Sequence, residues 1–137
     1  MRVVIDCNIF VSAVSSKSKY HLIVQKLIKG SFHLLLSTEV YFEYHEIISL
    51  KYQKFVSDAF ISALENSPYV IPYYPSFRWN LIYKDPDDNK YVDLYIAGNA
   101  DYLVTEDGDF KSLKNIEFPP LNIIGIDKFL ELLQAIS

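Results

Sequence analysis

Apolar and polar residues follow one another along the chain in blocks that predict a succession of strands and helices. Short runs rich in valine, isoleucine and leucine predict strands at residues 2–5, 32–36, 102–104 and 121–124. Residues 68–79 combine prolines with aromatic side chains. We interpret them as an irregular segment with at most one short strand.

The segments between the strands have the apolar spacing of amphipathic helices. On the helix that follows the Ser37-Thr38 cap, Val40, Tyr44, Ile47 and Ile48 form the predicted core-facing stripe, and Glu43 lies beside that stripe. The predicted helices cover residues 9–14, 20–29 and 126–136 and, as two successive helices, the stretch between residues 38 and 66. In the second of these two, the predicted buried residues are Phe55, Ala59, Ile61 and Leu64.

One more helix is predicted from the sequence DPDDNK onwards. Asp85 followed by Pro86 is typical of a helix start, and Asp88 then falls in the first turn, where the helix dipole favours negative charge. At the helical period Asp88 lies on the same face as the apolar residues. Asp93 points away from that face.

This order of elements predicts an α/β fold, namely a three-layer α/β/α sandwich around a central, mostly parallel sheet of four or five strands. The length of 137 residues suits a single domain. Right-handed crossovers bring the carboxyl ends of parallel strands to one edge, so we expect Asp6 and Asp107 to lie there together. Glu43 and Asp88 are expected on helices that begin at the same edge.

Composition narrows the classes of function. The formal net charge of −4 gives no general attraction to nucleic acid, so a polyanionic substrate would need a local basic patch or a bound metal. Cys7 is the sole cysteine, which excludes an internal disulfide and a multi-cysteine zinc site; we expect it to be a small buried filler. Without a membrane-spanning run or a start typical of a secretion signal, we expect a cytoplasmic protein with no membrane partner.

The acidic residues predicted at the sheet edge indicate a particular chemistry. Four carboxylates in one cluster repel each other strongly unless a divalent cation neutralises them. Oxygen-only ligands favour magnesium or manganese, and such a site can activate water and position a phosphodiester for in-line attack. The pattern therefore indicates nuclease chemistry.

An ordered set of short motifs resembles the PIN-domain nucleases. The set comprises Asp6 with Asn8 after the first strand, Glu43 on a capped helix, the run DPDDNK with Asp88, and the run ADYLVTED that ends at Asp107. The last two runs look most like the branch of toxins from toxin–antitoxin pairs, relatives of the VapC-type ribonucleases. The likeness extends from the first strand to the closing helix.

The resemblance implies roles for individual residues. The metal-binding acids of the family, which would hold Mg²⁺ or Mn²⁺, fall on Asp6, Glu43, Asp88 and Asp107. The supporting polar positions fall on Asn8 and Thr105, and Asp109 is a further candidate ligand. Some family members place the third acid in another register, so Asp85 and Asp93 stay as alternatives to Asp88.

The resemblance also implies an activity and partners. It implies a metal-dependent endoribonuclease that acts as the toxin of a toxin–antitoxin pair. The implied partners are an RNA substrate, a small antitoxin protein near the acidic groove, and a second copy of the chain in a homodimer.

Each acid also has an ordinary structural interpretation. Acids are common in the first turn of a helix, which suits Asp88, and Asp6 is typical of a turn after a strand. Glu43 taken alone fits a solvated or salt-bridged helix residue. For Asn8, capping of the following helix is our preferred interpretation. The joint pattern, not any one acid, favours the metal site.

Two other functions remain open at this stage. A phosphatase or receiver-like domain also gathers acids at strand ends, although the phosphatase type usually needs a second acid where this chain has Asn8, and the receiver type needs an acid pair near the first strand. The other alternative is a catalytically inactive PIN-like module that binds RNA or protein without turnover.

Overall fold

A computed structural model of the protein describes residues 1–75, 78–82, 86–115 and 120–136. Within these ranges a sheet of five parallel strands forms the centre, in the order β3-β2-β1-β4-β5. The strands are β1 (Arg2–Ile5), β2 (His33–Leu36), β3 (Val70–Pro72), β4 (Tyr102–Val104) and β5 (Ile123–Ile124). The predicted parallel α/β/α architecture is confirmed, and β3 shows that the segment after residue 68 does contribute a strand.

Helices pack around this sheet. They are α1 (Cys7–Ala13), α2 (Leu22–Lys29), α3 (Thr38–Lys51), α4 (Lys54–Asn66), α5 (Asn89–Ala97) and α6 (Ile126–Gln134), with 3₁₀ turns at Lys19–His21, Pro86–Asp88 and Gly108–Asn115. Helix α3 packs against α1, α4 and α5, and α2 packs against α1 and α6. None of the helices in the described ranges has the length and apolar character needed to cross a membrane.

Helix α3 forms as its sequence predicts. The Ser37 side chain accepts a hydrogen bond from the backbone N–H of Val40 at 3.3 Å, which caps the first turn. Val40, Tyr44 and Ile48 are fully buried, and Ile47 packs at the margin of the core. This stripe fixes the rotation of α3 and therefore the direction in which Glu43 points.

The prediction for α4 is wrong at two positions. Tyr52 has extended backbone angles, so α3 ends there and α4 begins on a new axis. The buried face of α4 contains Ser57, Phe60, Ile61 and Leu64, whereas Phe55 is 71% exposed and Ala59 is also exposed. At the helical period both residues lie opposite the buried face, so their apolar character alone did not indicate burial.

Helix α5 begins one turn later than predicted. Pro86 opens a 3₁₀ turn that ends at Asp88, and the α-helix starts at Asn89; Asp85 lies outside the described residues. Asp93 was expected to point away from the core but is only 7% exposed. The prediction was wrong because the segment 78–82 covers this side of α5, with the backbone N–H of Trp79 donating to Asp93 Oδ1 at 3.0 Å.

Helix α6, the last element of the described chain, packs against α2. Phe129 and Leu133 are fully buried, and the Phe129 ring packs edge-on against Phe32. The carboxylate of Glu106 accepts a hydrogen bond from the backbone N–H of Ile126 and lies against Gly125, so a side chain at Gly125 would displace it. The loop after β4 is thereby tied to the first turn of α6.

Candidate active site

The site begins at the carboxyl ends of the two central strands. Strands β1 and β4 pair in parallel with Ile5 opposite Val104, so Asp6 and Thr105 follow side by side at the edge. The backbone N–H of Asp6 donates to the carbonyl oxygen of Val104 at 2.9 Å, and Thr105 Oγ1 donates to Asp6 Oδ2 at 2.8 Å. Both residues are buried, which fixes the Asp6 carboxylate in one orientation.

The loop after β4 brings two more aspartates to this edge. Thr105 Oγ1 accepts a hydrogen bond from the backbone N–H of Asp107 at 3.0 Å, and Asp107 Oδ1 accepts one from the N–H of Asp109 at 2.9 Å. These two bonds curl the backbone so that both carboxylates stay near the strand end. One threonine hydroxyl therefore orders Asp6 and the loop that carries Asp107.

Three carboxylates converge in front of this loop. Oxygen atoms of Asp88, Asp107 and Asp109, which we call the aspartate trio, all lie within 4.8 Å of one another, and the three residues are half-buried. Three hard oxygen donors at this spacing are a ligand set that suits Mg²⁺ or Mn²⁺. The structure thus brings two of the predicted metal ligands together with Asp109. Among the described residues, Asp6 and Glu43 lie outside this group.

Glu43 lies beside the cluster in an internal ion pair. Its Oε2 is 2.9 Å from Lys90 Nζ, and its Oε1 accepts a hydrogen bond from the Tyr91 hydroxyl. The Lys90 side chain is only 12% exposed and also donates to the backbone carbonyl of Asp87 at 2.7 Å. Both carboxylate oxygens of Glu43 are therefore held by residues at the start of α5.

Tyr91 links three elements of the site. Its hydroxyl oxygen accepts a hydrogen bond from the backbone N–H of Cys7 at 3.1 Å, at the junction of β1 and α1. Burial raises the pKa of Tyr91 far above its usual value, so the hydroxyl stays protonated and donates to Glu43. The Tyr91 ring also packs edge-on against Phe110, in the turn that follows the aspartate trio.

The charges of Glu43 and Asp107 reach Asp6. Burial raises the pKa of Asp6 above its usual value, the hydrogen bond from Thr105 opposes this, and the charges of Glu43 and Asp107 raise it further. Burial and the nearby charge of Glu43 raise the pKa of Cys7 to about 12. The thiol is therefore protonated at neutral pH and is no nucleophile; it is buried, as predicted.

Two of the remaining candidates occupy other places. Asp6, not Asn8, is the N-cap residue of α1, so our interpretation of Asn8 as the cap was wrong; Asn8 is exposed in the first turn. Burial raises the pKa of Asp93, and the nearby charges of Arg78 and Glu39 lower and raise it respectively. Asp93 lines a pocket of 390 Å³ beside the acidic site.

Sequence reasoning did not assign Lys90 or Tyr91 to the site. A signal for Lys90 was present, because a lysine in the first turn of a helix opposes the dipole and so suggests a tertiary partner. Tyr91 carried no comparable signal, since a tyrosine at the edge of an apolar stripe is typical of an ordinary core residue.

The chain resembles one protein family in sequence and two solved structures in fold. A family model described as PIN domain matches residues 2–109. Among solved structures, VapBC2 from Rickettsia felis, bound to a DNA fragment from its promoter, has a TM-score of 0.64 at 18% identity and covers 91% of this chain and 98% of that one. VapC20 from Mycobacterium tuberculosis, a Sarcin-Ricin loop cleaving toxin, has a TM-score of 0.60 at 14% identity and covers 86% of this chain and 99% of that one.

These similarities differ in what they establish. At identities below one fifth, the two solved structures establish a shared fold, the α/β/α sandwich predicted from the sequence. No curated protein sequence matches the chain.

Proposed function

Since this chain belongs to the PIN-domain family, we propose that it is a metal-dependent endoribonuclease that hydrolyses RNA phosphodiester bonds. The observation that carries the proposal is the aspartate trio, three carboxylates within 4.8 Å of one another at the carboxyl edge of the central strands. In parallel α/β sheets this edge is where ligands bind.

The residues present fit Mg²⁺ or Mn²⁺. Asp88, Asp107 and Asp109 offer oxygen donors at suitable spacing. The Thr105 hydroxyl links Asp6 to them, because it donates to the Asp6 carboxylate and accepts the backbone N–H of Asp107. We propose Asp6, Glu43, Asp88 and Asp107 as the metal-binding acids, with Asp109 as an additional ligand. A bound cation would supply an activated water and would stabilise the negative charge that develops on the phosphate.

The chain's own residues provide orientation and charge. Thr105 holds Asp6 and the backbone of Asp107 in register, so the two acids are ordered before a ligand arrives. Lys90 is a nearly buried ammonium next to the acids, where it holds Glu43 in place and reduces the negative charge of the site. A cation at Glu43 would compete with this ammonium for the same carboxylate.

The partners and role form part of the same proposal. We propose that the protein is the toxin of a toxin–antitoxin pair, acts in the cytoplasm as a homodimer, and is held inactive by a small antitoxin at the acidic groove. Support comes from the fold shared with VapBC2 and with VapC20, a Sarcin-Ricin loop cleaving toxin. Mixing with a candidate antitoxin should suppress cleavage, and size-exclusion chromatography with light scattering should give the mass of a dimer.

The decisive experiment is RNA cleavage by the purified, antitoxin-free protein with Mg²⁺ or Mn²⁺ and with excess chelator. We expect cleavage that the chelator abolishes and that Asp107→Asn lowers by at least about a hundredfold. Asp58→Asn is the matched control, because it makes the same chemical change on the exposed face of α4. An inactive wild-type protein, or undiminished cutting by Asp6→Asn or Asp107→Asn, would contradict the proposal.

A second candidate function has its own supporting observation. The ion pair between Glu43 and Lys90 allows this part of the acidic site to persist without a metal, which suits a module that binds RNA or protein without turnover. Calorimetry with Mn²⁺ discriminates between the two functions. The nuclease should bind Mn²⁺ in a manner that depends on Asp107, and the inactive module should show no such binding.

A further inference from the structure

A polar pocket adjoins the acidic site along one side of α5. It has a volume of 390 Å³, within the range of small-molecule sites, and α3 and the chain after β3 form its opposite walls. The residues that carry the argument are Asp93 and Lys90 on α5, Glu39 on α3, Tyr73 and Tyr74 after β3, and Arg78.

Lys90 connects this pocket with the aspartates. Its side chain lines the pocket, and its ammonium lies 2.9 Å from Glu43. Asp87, which precedes the trio member Asp88, also lines the pocket. A ligand that fills the pocket therefore lies next to the acidic site, and part of the same ligand can extend into it.

Asp93 presents an unused acceptor to the pocket. The residue is 7% exposed, and its Oδ1 accepts the backbone N–H of Trp79 at 3.0 Å. No hydrogen bond to Oδ2 occurs within the part of the chain that the structure describes. Burial raises the pKa of this carboxyl, which reflects the cost of keeping its charge away from water. A hydrogen-bond donor on a ligand would offset that cost.

The remaining lining favours an aromatic, uncharged group with a donor. Three acidic side chains, Glu39, Asp87 and Asp93, outnumber the two basic ones, Arg78 and Lys90, so the lining does not favour a phosphate. Arg78 is also 3.4 Å from Glu39. Tyr74 is 79% exposed at the rim and offers a face on which a flat ring can stack.

We propose that this pocket binds one base of the RNA substrate and that Asp93 accepts a hydrogen bond from its exocyclic amino group. The inference rests on the proposed nuclease function and specifies its substrate. Cytosine, adenine and guanine carry such a donor. Uracil has no exocyclic amino group, and its N3–H lies between two carbonyl oxygens that repel a carboxylate. Asp93 thus selects against uracil at the position that occupies the pocket.

Nucleosides test this assignment independently of cleavage. Trp79 is the sole tryptophan, and its amide is bonded to Asp93, so its ¹⁵N–¹H signal and its fluorescence report on the pocket. We expect titration with cytidine to shift the Trp79 signal, with an affinity about tenfold higher than that of uridine. Of two RNAs that are identical except for cytosine or uracil at one position, the protein should cleave the cytosine-containing RNA faster.

Three variants separate recognition from folding. Asp93→Asn keeps an acceptor for the Trp79 N–H and places a donor at the other position, so the preference for cytidine should fall below about threefold. Asp58→Asn should retain the preference. Tyr74→Ala removes an exposed ring and should lower the affinity for cytidine and uridine by a similar factor. This variant provides a test of the pocket even if Asp93→Asn does not fold.

The outcomes are distinct. Equal binding of cytidine and uridine to the wild-type protein, or an unchanged preference in Asp93→Asn, would overturn the assignment. If N-acetylarginine amide shifts the Trp79 signal and nucleosides do not, the pocket receives an arginine of a protein partner, and the assignment is again overturned. Selective nucleoside binding without any RNA cleavage supports the base site and counts against the nuclease.

Discussion

Glu43 and the aspartate trio lie on the same edge of the molecule, yet the protein treats their charges differently. Glu43 faces Lys90 at 2.9 Å and the hydroxyl of Tyr91, so its charge is balanced from within the chain. The carboxylates of Asp88, Asp107 and Asp109 face one another within 4.8 Å. One part of the site is built like a buried ion pair, and the other is built like a chelator.

This difference indicates which part of the site is stabilised more by a bound cation. Bringing like charges together costs free energy that a bound dication recovers, so the trio should bind metal at a net gain. Glu43 already has a cationic partner, so a metal at Glu43 gains less from neutralising its charge. We therefore expect the trio to dominate the metal affinity and Glu43 to modulate it.

Calorimetric titration with Mn²⁺ gives the largest expected contrast. Asp107→Asn removes one of three facing carboxylates and should weaken Mn²⁺ binding by about a hundredfold, because the remaining ligands hold the ion less well. Glu43→Gln should weaken it by about tenfold or less. Equal losses in the two variants would remove the distinction between the two parts of the site.

Lys90→Met tests the same distinction by removing the ammonium partner of Glu43. The variant leaves Glu43 half-buried without its ammonium partner, and the metal-free protein should lose about 2 kcal/mol of unfolding free energy. Added Mn²⁺ should then stabilise the variant more than the wild-type protein, since Glu43 is available to the ion. Urea denaturation with chelator and with Mn²⁺ measures both effects; Lys54→Met, on the exposed ion pair with Asp58, is the control and should change little.

Tyr91→Phe should have a smaller effect. The ring keeps its packing against Phe110, but the Cys7 N–H and Glu43 each lose a hydrogen-bond partner. We expect a loss of about 1 to 2 kcal/mol in urea denaturation. If stability and Mn²⁺ affinity both stay at the wild-type level, Tyr91 has no part in holding Glu43.

Asp6→Asn should give the smallest change in stability, with a defined sign. The folded state raises the pKa of Asp6 above 3.8, so its contribution to stability is complete below pH 3.8 and is lost as the pH rises through the folded pKa. Without metal, Asp6→Asn should therefore gain stability relative to the wild-type protein as the pH rises to neutrality. Thermal melts between pH 4 and pH 8 in chelator test this, and a relative stability that falls with pH would contradict it.

The sequence predicted the parts of the fold and site that follow from local patterns. Asp6 and Thr105 meet because each directly follows an apolar run, and adjacent parallel strands place such residues side by side. The stripe of α3 was predictable for the same reason, since the helical period fixes which residues face the sheet.

What escaped prediction depends on how separate segments pack. The pairing of Glu43 with Lys90 requires the relative placement of α3 and α5, which no periodicity encodes. Asp93 was misassigned because residues 78–82 have no regular pattern, although they cover that side of α5. Phe55 was misassigned on its apolar character, although the helical period places it opposite Phe60 and Leu64.

The tie between Glu106 and α6 has a consequence for any shortened form of the protein. The family match ends at residue 109, before β5 and α6. The backbone N–H that Glu106 accepts belongs to Ile126, and the buried side chains of Phe129 and Leu133 also lie beyond residue 109. A chain trimmed to the matching residues would lose the pairing of β4 with β5 and the hydrogen bond between Glu106 and Ile126. The edge that carries the acidic residues and the carboxyl-terminal helix should therefore unfold as one cooperative unit.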